Sequence, residues 1–175
     1  MHDLIDLLKK NEIIKYGDFT FVSGKKSKNY VDIKEATTKP LLLKTITEKA
    51  SETIKRRNIK ADYVGGVALG GVPLATALSL ETDLPLILVR KEDKGYGTGG
   101  RLVGSFEKGK KVVLIEDATT KATSSIPAVK ALRDAGLMVE YLIVVVDREE
   151  GATENLKKEG IELIPLAKLS DLLEN

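Results

Sequence analysis

The segment KVVLIEDATTKATSS, residues 111–125, runs from a continuous apolar stretch into two adjacent carboxylates and then into a turn rich in hydroxyl groups. An unbroken β-branched run is typical of a parallel strand that is buried on both faces. In an α/β protein, a strand that ends in carboxylates and hydroxyls is where a sugar phosphate would bind. Such turns usually contain glycine, and this one has none. The segment therefore predicts a phosphate site that is either working or a relic.

Around this segment the chain alternates between helical and strand periodicity. The spacing of apolar residues predicts helices at residues 41–57, 72–80 and 125–136, and a short helix near 152–159. Further buried strands are predicted at residues 62–68, 85–90, 139–147 and 161–166, before a final segment at 166–173. Continuous apolar strands that alternate with helices predict an α/β fold, with a mainly parallel central sheet flanked by helices on both faces.

The N-terminal segment has a different pattern. Leu4 and Leu8 lie on one face of a predicted helix that ends near Gly17. The stretches FTFV (19–22) and YVDI (30–33) are short enough to be strands, and a polar turn, SGKKSKN, joins them. We therefore expect a helix and a hairpin before the alternating part of the chain begins.

Composition excludes several classes of function. The 175 residues carry a formal net charge of +2, which indicates neither disorder nor a basic surface for nucleic acid, so a small-molecule partner is expected. The sequence has no cysteine, and its single histidine, His2, lies at a terminus that is expected to fray. Disulfides, thiolate or histidine metal clusters and histidine triads are therefore excluded, and no metal-ligating residues are predicted.

The sequence also bears on location. No apolar run reaches the roughly 18 residues that span a bilayer. The amphipathic N-terminal stretch lacks the apolar core and cleavage site of a signal peptide. A cytoplasmic protein without a membrane partner is the expectation.

Two glycine-rich segments follow predicted strands. In GGVALGGVP, residues 65–73, glycines let backbone amides approach an anion, although a tight turn with close helix packing explains them equally well. In RKEDKGYGTGGR, residues 90–101, four cations stand among four glycines. A lid that closes over a polyanion has this composition, and a solvated flexible loop is the alternative.

The polar end of the opening segment has two interpretations. Glu116 and Asp117 are spaced to accept hydrogen bonds from two ribose hydroxyls, or to approach a Mg²⁺ bound to phosphates. The hydroxyls that follow are able to bind a phosphate monoester at the start of the next helix. The alternative is a solvated strand end and an ordinary serine N-cap.

Taken in order, these segments resemble the type I phosphoribosyltransferases, and among them the members that act on orotate. The resemblance extends from about Gly17 to Gly151. It implies the type I phosphoribosyltransferase fold, with residues 1–40 as an N-terminal hood and 41–175 as the core. It also implies transfer of the phosphoribosyl group from phosphoribosyl diphosphate (PRPP) to orotate in pyrimidine synthesis, with Mg²⁺ bound through PRPP. A homodimer with shared active sites is implied too.

The resemblance also implies roles for individual residues. The catalytic loop would supply Arg90, Lys91, Lys94 and Tyr96, and Arg148 would pair with the carboxylate of orotate. Residues 65–73 resemble the family's pyrophosphate loop, and residues 115–125 occupy the place of its PRPP-binding signature. Residues that bind substrate would come from the hairpin and these two segments: Lys26, Asn29, Tyr30, Ala68, Leu69, Gly70, Glu116, Asp117, Thr119, Thr120, Lys121, Ala122, Thr123 and Ser124.

Two positions depart from the family pattern. Tyr96 stands where histidine is usual, and with a reference pKa near 10 tyrosine is a poor proton shuttle at neutral pH. Ala122, and often Thr123, stand where the family has glycine. A left-handed conformation at Ala122 would cost roughly 1–2 kcal/mol, which is less than the several hydrogen bonds of a phosphate site contribute. A slower enzyme is expected, and a sensor that binds without turnover, or a phosphoribosyltransferase acting on a purine or another base, are the alternatives.

Overall fold

The computed structural model describes residues 3–20, 26–92 and 100–174. Within these ranges the N-terminal elements are α1 (Leu4–Lys10), β1 (Ile14–Thr20), β2 (Lys26–Val31), α2 (Ile33–Thr37) and α3 (Pro40–Arg56). They are followed by β3 (Tyr63–Val67), α4 (Gly71–Thr82), β4 (Leu86–Val89), β5 (Leu102–Val103) and β6 (Lys111–Thr119). The last elements are α5 (Ser125–Asp134), β7 (Met138–Asp147), α6 (Ala152–Lys158), β8 (Glu162–Lys168) and α7 (Leu169–Leu173).

The central sheet has the strand order β5-β4-β3-β6-β7-β8. All its neighbouring pairs are parallel except β4 and β5, which pair antiparallel at one edge. The predicted α/β fold with a mainly parallel sheet is confirmed. Because β3, β6 and β7 are neighbours, their carboxyl ends lie side by side at one edge of the molecule.

The apolar run of β6 is buried on both sides, as predicted. Val113 and Ile115 belong to a core cluster that includes residues of α3 and α4. Val112 and Leu114 belong to a second cluster with residues of α5 and α6. A strand covered on both faces gains from apolar side chains at every position, which explains the absence of alternation in KVVLI.

The predicted end of the first helix near Gly17 is wrong. Helix α1 ends at Lys10, and Glu12 adopts a left-handed conformation with φ of 52°. The next residues form β1, which pairs antiparallel with β2 in a separate two-stranded sheet, Ile14 opposite Val31. Pairing with β2 gives these backbone groups hydrogen-bond partners that a helical pattern in the sequence does not reveal.

The second predicted strand is also displaced. Strand β2 begins at Lys26, inside the predicted polar turn, and ends at Val31. Asp32 then accepts a hydrogen bond from the backbone N–H of Glu35 at 3.1 Å and so caps helix α2. The sequence stretch YVDI therefore contains a strand end, a helix cap and a helix start, and it places Lys34 on α2.

Elsewhere the predicted elements are confirmed with small shifts of their ends. Strand β6 continues through the carboxylates to Thr119, three residues beyond its predicted end. Among the described residues, β5 and α2 are elements that the sequence pattern did not indicate. In the part of the chain that is described, no helix is long and apolar enough to cross a membrane.

Candidate active site

Two adjoining cavities open at the carboxyl ends of β3, β6 and β7. The smaller has a volume of about 160 Å³ and is lined by Tyr30, Val31, Lys34, Asp117, Ala118, Thr119, Thr120, Ala122, Thr123, Ser124 and Arg148. The larger has a volume of about 580 Å³ and is lined by Lys34, Val67, Ala68, Leu69, Gly70, Lys91, Arg101, Glu116, Asp117, Ala118, Thr123, Ser124 and Pro127. Five residues line both, so the two cavities form one cleft with two ends. Another cavity of about 500 Å³, between α1, β1 and α7, shares no residue with them.

The turn that closes the smaller cavity lacks glycine but has the conformation that favours it. Ala122 has φ of 60°, the left-handed value that the sequence analysis considered. Its side chain is only 1% exposed and belongs to the core cluster beneath the turn. The methyl group is thus directed into the core, and a cavity several times the ~30 Å³ share of one water remains beside it.

The start of α5 faces the same turn. Ser124 occupies the N-cap position, yet no side chain caps the helix there. The Ser125 hydroxyl instead donates to Glu116 Oε2 at 2.7 Å, and the Ser124 hydroxyl lies 3.4 Å from the same oxygen. Because the hydroxyls are turned toward Glu116, the start of this ten-residue helix has no side-chain cap, and its N-cap residue Ser124 lines both cavities.

Glu116 is the buried member of the carboxylate pair. It is 3% exposed, and burial raises its pKa to about 7, although the hydrogen bond from Ser125 opposes that shift. By accepting hydrogen bonds from the serine hydroxyls of the next helix, this buried carboxyl group connects β6 to the start of α5. Glu116 therefore contacts the serines that follow the turn.

Asp117 is the carboxylate that faces both cavities. Its side chain is 15% exposed, and its Oδ2 atom accepts a hydrogen bond from Lys34 Nζ at 2.6 Å. Burial lowers the pKa of Lys34, but the hydrogen bond and the charge of Asp117 outweigh burial and raise it above its ordinary value. Lys34 is therefore a cation in the cleft at neutral pH.

Gly70 shows how tightly the loop before α4 approaches this pair. A Cβ atom built on Gly70 would overlap the carboxylate of Asp117, with Oδ2 nearest. The loop also contains a cis peptide bond between Ala68 and Leu69. At Gly66 the reason for glycine differs, since a Cβ atom there would lie 2.6 Å from Ala75 Cβ inside the core. Close helix packing thus explains Gly66, and contact with the cleft explains Gly70.

The end of β7 closes the smaller cavity from the other side. Arg148 is 6% exposed, and its Nε atom lies 3.6 Å from Glu150 Oε1. Burial raises the pKa of the preceding Asp147, whose carboxylate accepts the backbone N–H of Glu149 at 2.9 Å. Tyr30 lines the same cavity from β2, and its ring lies 5.6 Å from that of Phe19. An arginine and an aromatic ring therefore share this end of the cleft.

Several predicted residues lie elsewhere. Lys26 lines a separate cavity with Asp18, Phe19, Thr20 and Lys28, and shares neither cavity with Asp117. Asn29 lies in β2 and Lys121 on the exposed part of the turn, and neither lines the cleft. Arg90 follows β4, and its backbone N–H donates to Arg101. Lys94 and Tyr96 lie outside the described residues.

Two cations of the cleft were missing from the predicted set. Arg101 closes the glycine-rich loop and donates to the backbone carbonyls of Arg90 and Pro127, each at 3.2 Å. Lys34 reaches the cleft from α2, which is separated from Asp117 by 83 residues. The loop composition contained a signal for Arg101, but nothing local in the sequence connects Lys34 with Asp117.

The oxygen-bearing side chains of the cleft are suited to a metal ion only when a bound substrate supplies further ligands. Among the described residues, no group of three or more His, Cys, Asp or Glu side chains is arranged to hold a metal ion. Glu116 is engaged by serine hydroxyls and Asp117 by Lys34. A Mg²⁺ ion, which prefers oxygen ligands and keeps much of its water, fits this cleft only if phosphate oxygens of a bound substrate supply most of its ligands.

Comparison with known proteins agrees with this geometry. Residues 32–168 match the family model of the phosphoribosyl transferase domain. The chain is 52% identical to the orotate phosphoribosyltransferase of Methanosarcina mazei, over 98% of this chain and 91% of that protein. It superimposes with a TM-score of 0.88 and 35% identity on the orotate phosphoribosyltransferase of Aeropyrum pernix, over 97% of this chain and 96% of that one.

A third comparison concerns a structure with a ligand. The orotate phosphoribosyltransferase of Mycobacterium tuberculosis H37Rv, in complex with 5-phospho-α-D-ribosyl 1-diphosphate, superimposes with a TM-score of 0.77 and 29% identity. The match covers 97% of this chain and 96% of that one. The chain therefore belongs to the phosphoribosyltransferase family, and within it to the orotate phosphoribosyltransferases.

Proposed function

We propose that this chain transfers the phosphoribosyl group from PRPP to orotate and so produces orotidine 5′-phosphate and pyrophosphate in pyrimidine synthesis. The observation that carries the proposal is the two-ended cleft centred on Asp117. One end offers an uncapped helix start and a hydroxyl-rich turn, and the other offers a glycine loop and cations. PRPP has a phosphate at one end and a diphosphate at the other, with the ribose between them.

The 5′-phosphate is proposed to bind at the start of α5. The uncapped, electropositive start of α5 and the exposed side chains of Thr123 and Ser124 are suited to a phosphate dianion. The ribose hydroxyls would then lie beside Asp117. At that position a carboxylate both orients the sugar and stabilises the positive charge that develops on it.

Orotate is proposed to bind in the smaller cavity. Arg148 would pair with its carboxylate, because a guanidinium group matches a carboxylate in a bidentate manner. Tyr30 would lie beside the pyrimidine ring, since both residues line that cavity. Substrate discrimination would come from this pair, because a purine has no carboxylate for the arginine.

The reaction needs positioning and charge stabilisation, and it needs no covalent nucleophile. The orotate ring nitrogen forms a bond to the anomeric carbon as the bond from that carbon to the diphosphate oxygen breaks, and the proton lost from that nitrogen passes to the departing diphosphate or to solvent. Positive charge develops on the sugar and negative charge on the departing diphosphate. Arg90 and Lys91, with Lys94 and Tyr96 of the loop, are proposed to stabilise the diphosphate, and Lys26, Asn29 and Lys121 remain proposed substrate contacts.

PRPP is proposed to enter as its Mg²⁺ complex. Such an ion, held by oxygens of the substrate, supplies charge neutralisation on the leaving diphosphate. Among the described residues, Glu116 is engaged by serine hydroxyls and Asp117 by Lys34, so oxygens of the substrate would supply most of the ion's ligands. Removing Mg²⁺ with a chelator should therefore abolish turnover without unfolding the protein.

The proposal extends to the assembly and its setting. Residues 1–40 act as a hood and 41–175 as the core, and two chains form a homodimer with shared sites. Support for a dimer comes from Leu69 and Leu80, near and on α4, which are 75% and 82% exposed and would be covered by a second subunit. A cytoplasmic location follows from the substrate, because a multiply charged diphosphate is retained inside the cell.

The decisive assay follows the loss of orotate absorbance after PRPP and Mg²⁺ are added, with the pyrophosphate-driven reverse reaction as its control. Turnover in both directions is expected. Orotate binding without turnover would replace the proposal with a ligand sensor, and turnover only with purines would reassign the substrate. Among the described residues, the alanine in the turn does not favour the sensor, since it leaves the cavity open.

A further inference from the structure

Lys34 is one of the five residues that line both ends of the cleft. It lies in the first turn of α2, and its side chain lines both cavities. Its ammonium group donates to Asp117 Oδ2 at 2.6 Å, across 83 residues of sequence. The pair thus joins the N-terminal segment to the end of the central strand β6.

The Asp117 oxygen that accepts the hydrogen bond from Lys34 is also close to the loop before α4. Asp117 Oδ2, the oxygen that receives Lys34, is also the atom nearest to a Cβ built on Gly70. Lys34 and the loop of Ala68, Leu69 and Gly70 therefore both approach the Asp117 carboxylate. This loop belongs to the larger cavity, and none of its residues lines the smaller one.

The other cations of the larger cavity are placed differently. The guanidinium group of Arg101 is engaged by two backbone carbonyls. Lys91 is exposed, and it lies next to the part of the loop that is not described. Lys34 is fixed by a carboxylate at the centre of the cleft.

A role in stability alone would explain Lys34 poorly. Its side chain is 55% exposed, and ion pairs with such exposed members contribute little to folding. An ammonium group has three donors, and its hydrogen bond to Asp117 uses one of them. The remaining donors are able to reach a ligand in the cleft. The raised pKa of Lys34 means that the group carries its charge throughout the neutral range.

We propose that Lys34 binds the diphosphate of PRPP, and that Asp117 holds the ammonium group in place before the substrate enters. The inference rests on the proposed function for the identity of the ligand. Lys34 would contribute to the diphosphate end of the cleft from α2, whereas the loop cations that the sequence indicates follow β4. The 5′-phosphate, at the other end, would gain nothing from it.

Direct binding tests this assignment without requiring turnover. Calorimetry would measure the affinity for inorganic pyrophosphate with Mg²⁺ and, separately, for ribose 5-phosphate. Lys34→Met should weaken pyrophosphate binding by roughly tenfold or more, as expected for loss of one charge-assisted hydrogen bond. Ribose 5-phosphate affinity should change by less than about twofold. Lys34→Arg should retain most of the pyrophosphate affinity, and Lys44→Met, which removes an exposed cation on α3, should change neither.

A double-mutant cycle with Asp117→Asn separates binding from positioning. If Lys34 contacts the diphosphate, Lys34→Met weakens pyrophosphate binding in the Asp117→Asn background too. If it acts only through Asp117, the second substitution has no further effect, and the proposal is overturned. Equal losses for both ligands, or no pyrophosphate binding by the unsubstituted protein, would also overturn it. Absence of orotate turnover with intact pyrophosphate binding would instead count against the proposed function alone.

Discussion

The two ends of the cleft are built in different ways. The smaller cavity takes most of its lining from one continuous stretch, residues 117–124. The larger cavity combines α2, the loop before α4, the segment after β4, and the end of β6. A site made from one stretch depends on local backbone conformation. A site assembled from distant stretches depends on how closely those stretches approach one another.

This difference explains how each end responds to loss of a glycine. At Ala122 the left-handed backbone turns the methyl group into the core, so the cavity tolerates an alanine. At Gly70 the backbone has φ of −62°, which any residue adopts, yet a methyl group there would overlap Asp117 from another strand. We call the smaller cavity the local end of the cleft and the larger cavity the assembled end. Replacing a glycine costs backbone strain at the local end and causes a steric overlap at the assembled end.

The largest effect is expected where the two ends share a residue. Asp117→Asn keeps the shape of the side chain but removes the charge that faces both cavities, so we expect kcat/KM for PRPP to fall by roughly 10²–10³-fold. Steady-state kinetics would measure it. Glu140→Gln is the control, because Glu140 pairs with Lys111 at the amino end of β6. Equal activity of the two variants would show that Asp117 is not a catalytic residue.

Gly70→Ala should act from the assembled end, because Gly70 lines only the larger cavity. Its methyl group would displace the Asp117 carboxylate, and we expect a loss of PRPP affinity of roughly tenfold to a hundredfold with a small change in thermal stability. Gly66→Ala is the matched variant, since its methyl would collide with Ala75 in the core. That substitution should lower stability by about 1–3 kcal/mol. Calorimetric binding and thermal unfolding of both variants would measure the contrast, and the reverse pattern would contradict it.

The same difference accounts for what the sequence predicts. The central sheet was predictable because β6 and β7 are continuous apolar runs that only a doubly covered strand explains. The hairpin was misplaced because pairing between Ile14 and Val31 is a contact between distant residues, and a helical pattern in the sequence competes with it. The antiparallel edge strand β5 has only two residues, too few to form a pattern.

Within the site, the sequence raised a left-handed backbone at Ala122 as a condition of the turn, and the structure has that conformation. The contact between Lys34 and Asp117 was not predictable, because α2 begins inside a stretch that has the composition of a strand. The hydrogen bond from Ser125 to Glu116 was not predictable either, since adjacent carboxylates on a strand face opposite sides of the sheet. Local chemistry is visible in a sequence, whereas partners supplied by folding are not.

Glu116 offers a pH-dependent test of the local end. Burial raises its pKa to about 7 in the folded chain, above the unfolded value, so the folded state binds the proton more tightly. Its contribution to stability is therefore present at low pH and is lost as pH rises toward 7. Glu116→Gln removes this titration and keeps an acceptor for Ser125. We expect its thermal stability relative to the unsubstituted chain to improve between pH 5 and pH 8, by roughly 1–3 kcal/mol.

Thermal unfolding at several pH values, without substrate, would measure this difference. Asp62→Asn is a useful comparison, because the backbone hydrogen bond from Lys111 lowers the pKa of Asp62 and its titration has the opposite sign. A stability difference for Glu116→Gln that does not change with pH would mean that Glu116 is ionised in the folded chain throughout this range.

The smallest effect is expected for Ala122→Gly. Glycine would relieve a left-handed strain of roughly 1–2 kcal/mol, but it would lose a buried methyl group worth about 0.8 kcal/mol and add flexibility to the unfolded chain. These terms nearly cancel, so stability should change by less than about 1 kcal/mol. Because the Ala122 side chain is packed into the core cluster beneath the turn, PRPP affinity should change by less than about threefold. Equilibrium binding would measure it, and a gain of tenfold or more would mean that the alanine obstructs the 5′-phosphate and that the local end is a partial relic.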